Sequence, residues 1–227
     1  MRAAWLALLL LAVCPVPAFA QVSAAVSVES DYRLRGYSVS GERPVGVVRV
    51  GYDDASGAYA DGSVAVVASR FDGLRVLGYE ADAGFATQLG SLWTIDLGVA
   101  REDLDPAYPG SLSYRHTEAY VGARRGPFSA YVFASPSYGR SGSPSLYGQL
   151  DATVSPFAKW RLTAHAGLLK LLDTPPRYAT HYDWRLGVAR EIGDFDLHVA
   201  VSGGGPPRRA YPAAAETKLT AGLTFGF

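Results

Sequence analysis

The sequence predicts an all-β protein, a single antiparallel transmembrane β-barrel of about 12 strands with short periplasmic turns and longer outer loops. Three observations lead to this prediction. Apolar and polar residues alternate with a period of two along most of the chain. The connections alternate between tight turns and longer links rich in Gly, Pro and Ser, and the apolar positions end in aromatic residues.

The composition excludes several other classes. The chain has 227 residues, of which 48% are hydrophobic, and its 21 Lys+Arg balance its 21 Asp+Glu. A nucleic-acid-binding protein would carry a surplus of basic residues, so nucleic acid is not expected as a partner of this chain. The single Cys excludes a disulfide framework and a multi-cysteine metal site. After residue 21 no apolar run approaches the roughly 20 residues of a spanning helix.

Residues 1–20 predict a secretory signal peptide, with a basic start, an unbroken apolar run over 5–13 and small residues at 18–20. Cleavage there would leave residues 21–227 as the barrel. Cys14 follows a segment similar to a lipobox, which leaves a lipid-anchored form as an alternative. The residue before Cys14 is a bulky Val, however, so the Ala-Phe-Ala site is the better one.

The first strand shows the pattern most clearly. From Val22 to Arg35 the even positions are mostly apolar and the odd positions are polar or small, as in a strand with two unlike faces. The complete set of predicted strands is 22–35, 44–53, 57–69, 75–88, 92–102, 113–124, 128–135, 145–155, 159–169, 180–190, 195–203 and 216–227. Segment 57–69 is apolar on both faces, and three others have mixed faces. Most segments approach the roughly 9–11 residues that cross a bilayer when tilted.

The connections support the same architecture. Tight turns are predicted at 53–56, 89–91, 125–127, 156–158 and 191–194. Longer links are predicted at 36–43, 70–74, 103–112, 136–144, 170–179 and 204–215. This regular alternation is typical of an outer-membrane barrel rather than of a soluble β-sandwich.

Aromatic residues indicate which face meets lipid. Those at the ends of the apolar faces are expected to form an interfacial girdle: Tyr32, Tyr52, Trp93, Trp160, Tyr182, Trp184, Phe225 and Phe227. The chain ends at Phe227 on an alternating strand. Phe225 and Phe227 are therefore expected to form the signal that the barrel-assembly machinery recognises.

Several motifs resemble the TorF family, whose members are described as porins. Residues 30–38 resemble its S-D-Y-x-x-R-G-x-S opening, and residues 57–60 its G-x-Y-A element. Residues 117–122 and 135–138 resemble its T-E-x-Y-x-G and S-P-x-Y elements, and 182–188 its Y-x-D-W-x-L-G-V element with one residue fewer. The resemblance implies an outer-membrane porin of proteobacteria that carries a signal peptide.

The sequence gives little support for an enzyme. A lipid-modifying barrel would need a Ser nucleophile and a His base on one strand face. No Ser lies two residues from His116, His165, His181 or His198. His181 and Asp183 could supply only two metal ligands, whereas three or four are usual. We therefore expect no catalytic residue, no metal site and no cofactor.

The inward polar residues are the candidate site. The predicted lumen-lining residues are Glu29, Asp31, Arg33, Arg35, Arg49, Glu80, Asp82, Glu118, Arg161, Asp183 and Arg185. They can line a channel, or they can pair into a structural plug. A first hairpin folded about residues 39–40 would bring Arg49 close to two of the acids and favour pairing there. If Arg33 and Arg35 at the end of the first strand stay unpaired, they favour anions at the mouth.

The expected function is passive diffusion of small polar solutes or ions across the bacterial outer membrane. The alternatives are a closed structural or adhesion barrel that acts through its outer loops, and the lipid-modifying enzyme discussed above. The expected partners are outer-membrane lipid, the barrel-assembly machinery and small polar solutes.

Overall fold

Twelve antiparallel strands close into one barrel in the computed structural model. The structure describes residues 20–69, 73–105, 114–139, 142–175, 179–205 and 216–227. The predicted signal peptide thus lies outside the described residues except for its last position. The barrel strands are β1 (Ala20–Glu29), β4 (Val45–Asp54), β5 (Ala58–Ser69), β6 (Gly73–Leu89), β7 (Trp93–Leu104), β8 (Tyr114–Arg125), β9 (Phe128–Tyr138), β10 (Ser143–Val154), β11 (Trp160–Leu171), β12 (Thr180–Ile192), β13 (Phe195–Gly205) and β14 (Lys218–Gly226). A short hairpin of β2 (Arg33–Leu34) and β3 (Tyr37–Ser38) lies between β1 and β4.

Each barrel strand pairs with its neighbours in the chain, and β1 pairs with β14 to close the barrel. The predicted number of strands and their antiparallel order are therefore confirmed. Tight turns join the strands at one end of the barrel, here called the tight-turn end, and the opposite end is the long-link end. Gly193 illustrates a tight turn: its φ of +63° in the connection between β12 and β13 suits a residue without a Cβ. Among the described residues no helix has the length and apolarity needed to cross a membrane.

The two faces of the strands differ as the alternation predicts. On β7, Leu97 and Val99 are about half exposed on the outside of the barrel. The even-numbered residues of β7 point inward. One of them is Asp96, which accepts hydrogen bonds from Tyr59 and Tyr131. At the tight-turn end the guanidinium groups of two outward arginines lie 5.3 Å and 5.1 Å from the ring centroids of two tryptophans. These pairs are Arg125 over Trp93 and Arg190 over Trp160.

The first strand is shorter than predicted. It ends at Glu29, and the segment 30–44, here called loop L1, folds back into the barrel instead of extending β1. The prediction that places Arg33 and Arg35 on β1 is therefore wrong. The prediction that places Tyr32 in the outward girdle is also wrong, because Tyr32 packs inside.

Loop L1 is anchored in the barrel by an apolar cluster at the long-link end. Tyr37 and Val39 are buried from L1, and they pack with inward residues of four strands: Val45, Val47, Ala65, Val67, Leu77 and Leu104. This packing explains why segment 57–69 is apolar on both faces, since one face meets L1. Because these apolar side chains are buried from water, the hydrophobic effect stabilises L1 in its position inside the barrel.

A second apolar cluster lies inside the barrel on β9, β10 and β11. It consists of Tyr138, Tyr147, Leu169 and Leu171, with Phe133 packed against it. β9 continues to Tyr138, so the link to β10 is shorter than the predicted 136–144. The interior of the long-link half is thus partly apolar, and the polar part of the lumen lies towards the tight-turn end.

Candidate functional site

Asp31 organises the start of L1. Its Oδ1 accepts hydrogen bonds from the hydroxyls of Ser38 at 2.6 Å and Ser40 at 2.8 Å. Its Oδ2 accepts from Arg33 at 3.1 Å, and the same guanidinium donates to the carbonyl of Gly36 at 2.6 Å. The carboxylate therefore holds a tight turn together, as short polar side chains commonly do.

Loop L1 reaches strands on several sides of the barrel. The Tyr32 hydroxyl donates to Glu80 on β6, and the Arg35 guanidinium donates to Glu118 on β8. The Tyr37 hydroxyl lies 3.1 Å from Nδ1 of His181 on β12. Since β12 lies six places from β6 and four from β8 in the strand order, L1 crosses the lumen and narrows it.

Arg35 is the most heavily enclosed part of this crossing. Its side chain is 9% exposed, that of Glu118 is 2% exposed, and the guanidinium lies 4.0 Å from the centroid of the Tyr147 ring. Burial alone would lower the pKa of Arg35, but Tyr138, Glu102 and Glu118 raise it above its ordinary value. The guanidinium stays charged and forms a buried ion pair with an aromatic face.

Gly36 lets L1 approach the opposite wall. Its φ is +79°, and a Cβ built on it would lie 2.8 Å from the Gly203 carbonyl oxygen and 2.9 Å from the Asp183 Cβ. No other residue type fits this approach without a shift of the backbone. The glycine in the S-D-Y-x-x-R-G-x-S segment is therefore required by the contact between L1 and β12–β13.

A cavity of about 880 Å³ lies inside the barrel below L1. Nine of the predicted lumen residues line it: Glu29, Asp31, Arg33, Arg35, Arg49, Glu118, Arg161, Asp183 and Arg185. The other two lie inside the barrel but away from this cavity. Glu80 accepts from Tyr32, and Asp82 accepts from Tyr120 at 2.9 Å.

Most charges on the cavity wall are paired. Glu29 lies 2.9 Å from His198, and Arg161 lies 2.7 Å from Asp196. His165 bridges two carboxylates, with Nδ1 2.7 Å from Asp151 and Nε2 2.7 Å from Asp183. Each of these groups is at least half-buried, so the pairs hold the wall rather than face open solvent.

Arg49 and Arg185 differ from the other charged residues on the cavity wall. Both are exposed to the lumen, and neither makes a hydrogen bond or ion pair with any residue that the structure describes. The expectation that Arg49 pairs with the acids of the first hairpin is wrong. In the register of β1 and β4, Arg49 lies opposite Ala25, while Glu29 lies opposite Val45.

Arg33 and Arg35 do not form an open positive field at a mouth. Arg33 pairs with Asp31, and Arg35 pairs with Glu118. Both arginines lie in L1, which is folded into the lumen. Arg33 and Arg35 therefore follow the second possibility given by the sequence, in which inward charged residues pair into a structural plug.

Sequence reasoning missed several inward residues. Glu102 lines the cavity, and the hydroxyls of Tyr59 and Tyr131 donate to Asp96 at 2.8 Å and 2.9 Å. The signal was present in the parity of the strand, because Glu102 has the parity of Asp96 on β7. The tyrosines were missed because their rings make the inward positions look apolar.

Three of the four histidines contact carboxylate groups within the described residues. His116 lies 3.3 Å from Glu102, and its ring packs on Tyr138 with centroids 4.4 Å apart. His165 and His198 face carboxylates, as described above. No serine hydroxyl contacts these three rings in the described part of the chain. The fourth, His181, contacts Tyr37.

Phe225 and Phe227 are adjacent at the tight-turn end. Their ring centroids are 5.6 Å apart, and Phe225 also lies 5.3 Å from Phe195 on β13. Phe227 is 71% exposed. The two rings thus form an aromatic pair at the end of the closing strand, in which Phe225 is partly buried and Phe227 is exposed.

Comparison with solved structures finds barrels of the same fold. The KdgM porin has a TM-score of 0.57 at 13% identity, covering 90% of this chain and 99% of that chain. A KdgM porin described as a complex with disordered oligogalacturonate scores 0.56 at 12% identity, over 90% and 99% of the two chains. The NanC porin scores 0.54 at 9% identity, over 91% and 98%.

The outer membrane phospholipase A from Escherichia coli is also similar, with a TM-score of 0.50 at 11% identity over 89% of each chain. At such identities the similarity shows the fold alone, and the same fold holds porins and a phospholipase. No curated protein matches the sequence.

A family model covers most of the chain. It matches residues 16–219 and is described as "Bacterial protein of unknown function (Gcw_chp)". TorF is not the name of the matching model and remains a resemblance of motifs. By this match the chain belongs to the Gcw_chp family of bacterial proteins.

Proposed function

We propose that this protein is a porin-like channel of the bacterial outer membrane through which small polar solutes or ions diffuse passively. The observation that carries the proposal is a closed barrel with apolar residues exposed outside and a cavity of about 880 Å³ lined by charged and polar side chains inside. The similarity to the KdgM and NanC porins supports it. One of these similar barrels, a KdgM porin, is described in complex with disordered oligogalacturonate, which is a polar oligomer.

The membrane setting follows from the outer surface. Outward apolar residues form the band that meets lipid, and the Arg–Trp pairs at the tight-turn end suit a membrane interface. The tight-turn end then faces the periplasm and the long-link end faces outward. Residues 1–20 act as the secretory signal, and the aromatic pair Phe225 and Phe227 is recognised by the barrel-assembly machinery.

The channel is proposed to prefer anions. Each carboxylate of the cavity wall lies against an Arg or His side chain, whereas Arg49 and Arg185 are exposed and have no carboxylate partner among the described residues. A guanidinium keeps its charge at any physiological pH and binds carboxylates or phosphates through two parallel hydrogen bonds. The two arginines therefore place exposed positive charge on the cavity wall, where a passing anion can reach it.

Part of the lumen opposes this preference. Asp61 and Asp82 lie opposite each other on β5 and β6, and Asp61 is exposed. The Tyr120 hydroxyl donates to Asp82, but Asp61 has no such donor within the described ranges. The net selectivity is thus expected to be modest, set by the two exposed arginines on the cavity wall and reduced by Asp61.

Reversal potentials across a planar bilayer test the proposal. In a salt gradient the wild-type channel should favour anions at low salt, and less so at 1 M, where the Debye length falls to about 3 Å. The double variant Arg49→Gln/Arg185→Gln should shift the reversal potential towards cations because it removes the exposed positive charge. The matched control is Arg125→Gln/Arg190→Gln, which removes two arginines from the outside of the barrel and should leave the potential unchanged.

Two results would contradict the proposal at different levels. An unchanged reversal potential in a folded Arg49→Gln/Arg185→Gln channel would contradict the role of these arginines in anion preference. It would not contradict the proposal that the protein is a channel. A folded wild-type barrel that passes no current would support the second candidate, a closed structural or adhesion barrel. That candidate is favoured by one observation: L1 and the two apolar clusters occupy the long-link half of the interior.

A further inference from the structure

A basic cluster lies on the outside of the barrel at the long-link end. It consists of Arg101 and Asp103 on β7 with Arg115 and Thr117 on β8, and we name it the rim cluster. In the register of the two strands, Arg101 lies opposite Thr117 and Asp103 lies opposite Arg115. The side chains between them in sequence point inward, where His116 and Glu118 are buried. The rim cluster therefore faces outward, away from the lumen.

One carboxylate holds both guanidinium groups of the rim cluster. Asp103 accepts from Arg115 at 3.0 Å and from Arg101 at 3.3 Å. Arg101 also donates to the Thr117 hydroxyl at 3.1 Å. The two guanidinium groups and Asp103 have a net charge of +1, and Asp105 adds a nearby negative charge that acts on Arg115. The terminal nitrogens of Arg115 find no acceptor within the described part of the chain, and this side chain is 60% exposed.

The position of the rim cluster is as informative as its charge. Directly below it on the same outward face lie Val99 and Val121, which are about half exposed and belong to the apolar band. An open depression of about 530 Å³ adjoins the cluster and is lined by both arginines, Thr117 and the Pro136–Ser137 segment. Free guanidinium donors of Arg115 thus lie where the outward apolar residues of β7 and β8 end, beside space for a ligand.

We infer that the rim cluster binds the phosphate of a lipid headgroup in the outer leaflet, through Arg101 and Arg115. The inference rests on the proposed membrane location and is independent of whether the lumen conducts. A lipid with its chains along the apolar band places its phosphate at the edge of that band, beside the cluster. Guanidinium groups match phosphate geometry with paired hydrogen bonds, and Asp103 holds the two groups side by side.

Native mass spectrometry of the refolded full chain in detergent tests the inference. The probe is lipid A, a diphosphorylated glycolipid, and the comparison lipid is its dephosphorylated form. The variant Arg101→Gln/Arg115→Gln should bind lipid A about thirtyfold more weakly, because two guanidinium contacts are lost. The control Arg125→Gln/Arg190→Gln removes the same outward charge at the opposite end and should bind like the wild type.

The same titrations define the results that would overturn the inference. Equal affinity of the Arg101→Gln/Arg115→Gln variant, or equal binding of dephosphorylated lipid, would exclude a phosphate site at this rim. Displacement of lipid A by inorganic phosphate at equal concentration would assign the cluster to a soluble anion and overturn the lipid assignment. Absence of membrane insertion in vesicles would instead refute the membrane location and hence the proposed function.

Discussion

Arg35 is the residue on which the position of L1 most depends. It leaves the loop with a φ of +45°, a conformation uncommon outside glycine, and reaches Glu118 across the lumen. A buried ion pair adds little when compared with an apolar substitute, but removal of one partner leaves an uncompensated charge. The pair is therefore a sensitive point for mutation even if its net contribution to stability is small.

Glu118→Gln tests this pair. The substitution removes the carboxylate that accepts from Arg35 and leaves Glu102 as its remaining acidic neighbour, so the free energy of unfolding should fall by about 3 kcal/mol, the low end of the range for breaking a buried pair. Urea unfolding in lipid vesicles, followed by tryptophan fluorescence, measures the change. Arg161→Gln is the control, because the Arg161–Asp196 pair is more exposed, at 39% and 22%, and should cost less. Equal losses in both variants would show that L1 is not held through Arg35.

The residue scale is also where sequence reasoning failed. The alternation continues through residues 30–35, so periodicity alone extends the first strand to Arg35. What ends the strand is the local chemistry of Asp31, which binds two serine hydroxyls further along the chain. Such contacts between a side chain and later residues depend on the folded loop, and a two-residue period carries no information about them.

At the scale of the elements, the alternating pattern identified the barrel strands because lipid-facing and lumen-facing positions differ in polarity. The last strand shows this well, since the predicted 216–227 contains the observed β14, Lys218–Gly226. The pattern was weakest at 57–69, where an inward face that packs on L1 is apolar like the outward face. A strand that meets a plug loses the polarity contrast on which the prediction relies.

A pair of arginine substitutions on β11 tests the assignment of faces. Leu162 points outward and is 43% exposed, and it lies two residues inside the interface marked by Trp160, so Leu162→Arg should destabilise the folded barrel by about 1–2 kcal/mol. Thr163 lines the cavity, and Thr163→Arg should alter conductance more than stability. Urea unfolding in vesicles compares the two. If Leu162→Arg leaves stability unchanged and Thr163→Arg prevents folding, the assignment of the lipid-facing and lumen-facing sides of β11 is wrong.

At the scale of the whole molecule, the barrel combines a polar cavity near the tight-turn end with a loop that crosses the lumen above it. The number of strands could be read from the number of alternating segments in the sequence. Most inward charges could be read from their odd or even position within a strand. The pairing of those charges could not, because it depends on the stagger between strands and on the path of L1. Arg49 and Arg185 differ from the other cavity charges only through that geometry.

The central claim is that the lumen conducts and that L1 narrows it. Single-channel recording in planar bilayers tests it with two proteins, the wild type and a variant in which residues 31–43 are replaced by a short Gly-Ser linker. Heat-dependent gel mobility and circular dichroism establish that both barrels are folded. We expect discrete conductance steps in the wild type and larger steps in the shortened variant, because the Arg35 and Tyr37 contacts across the lumen are gone. Folded barrels that remain silent with and without L1 would contradict the account.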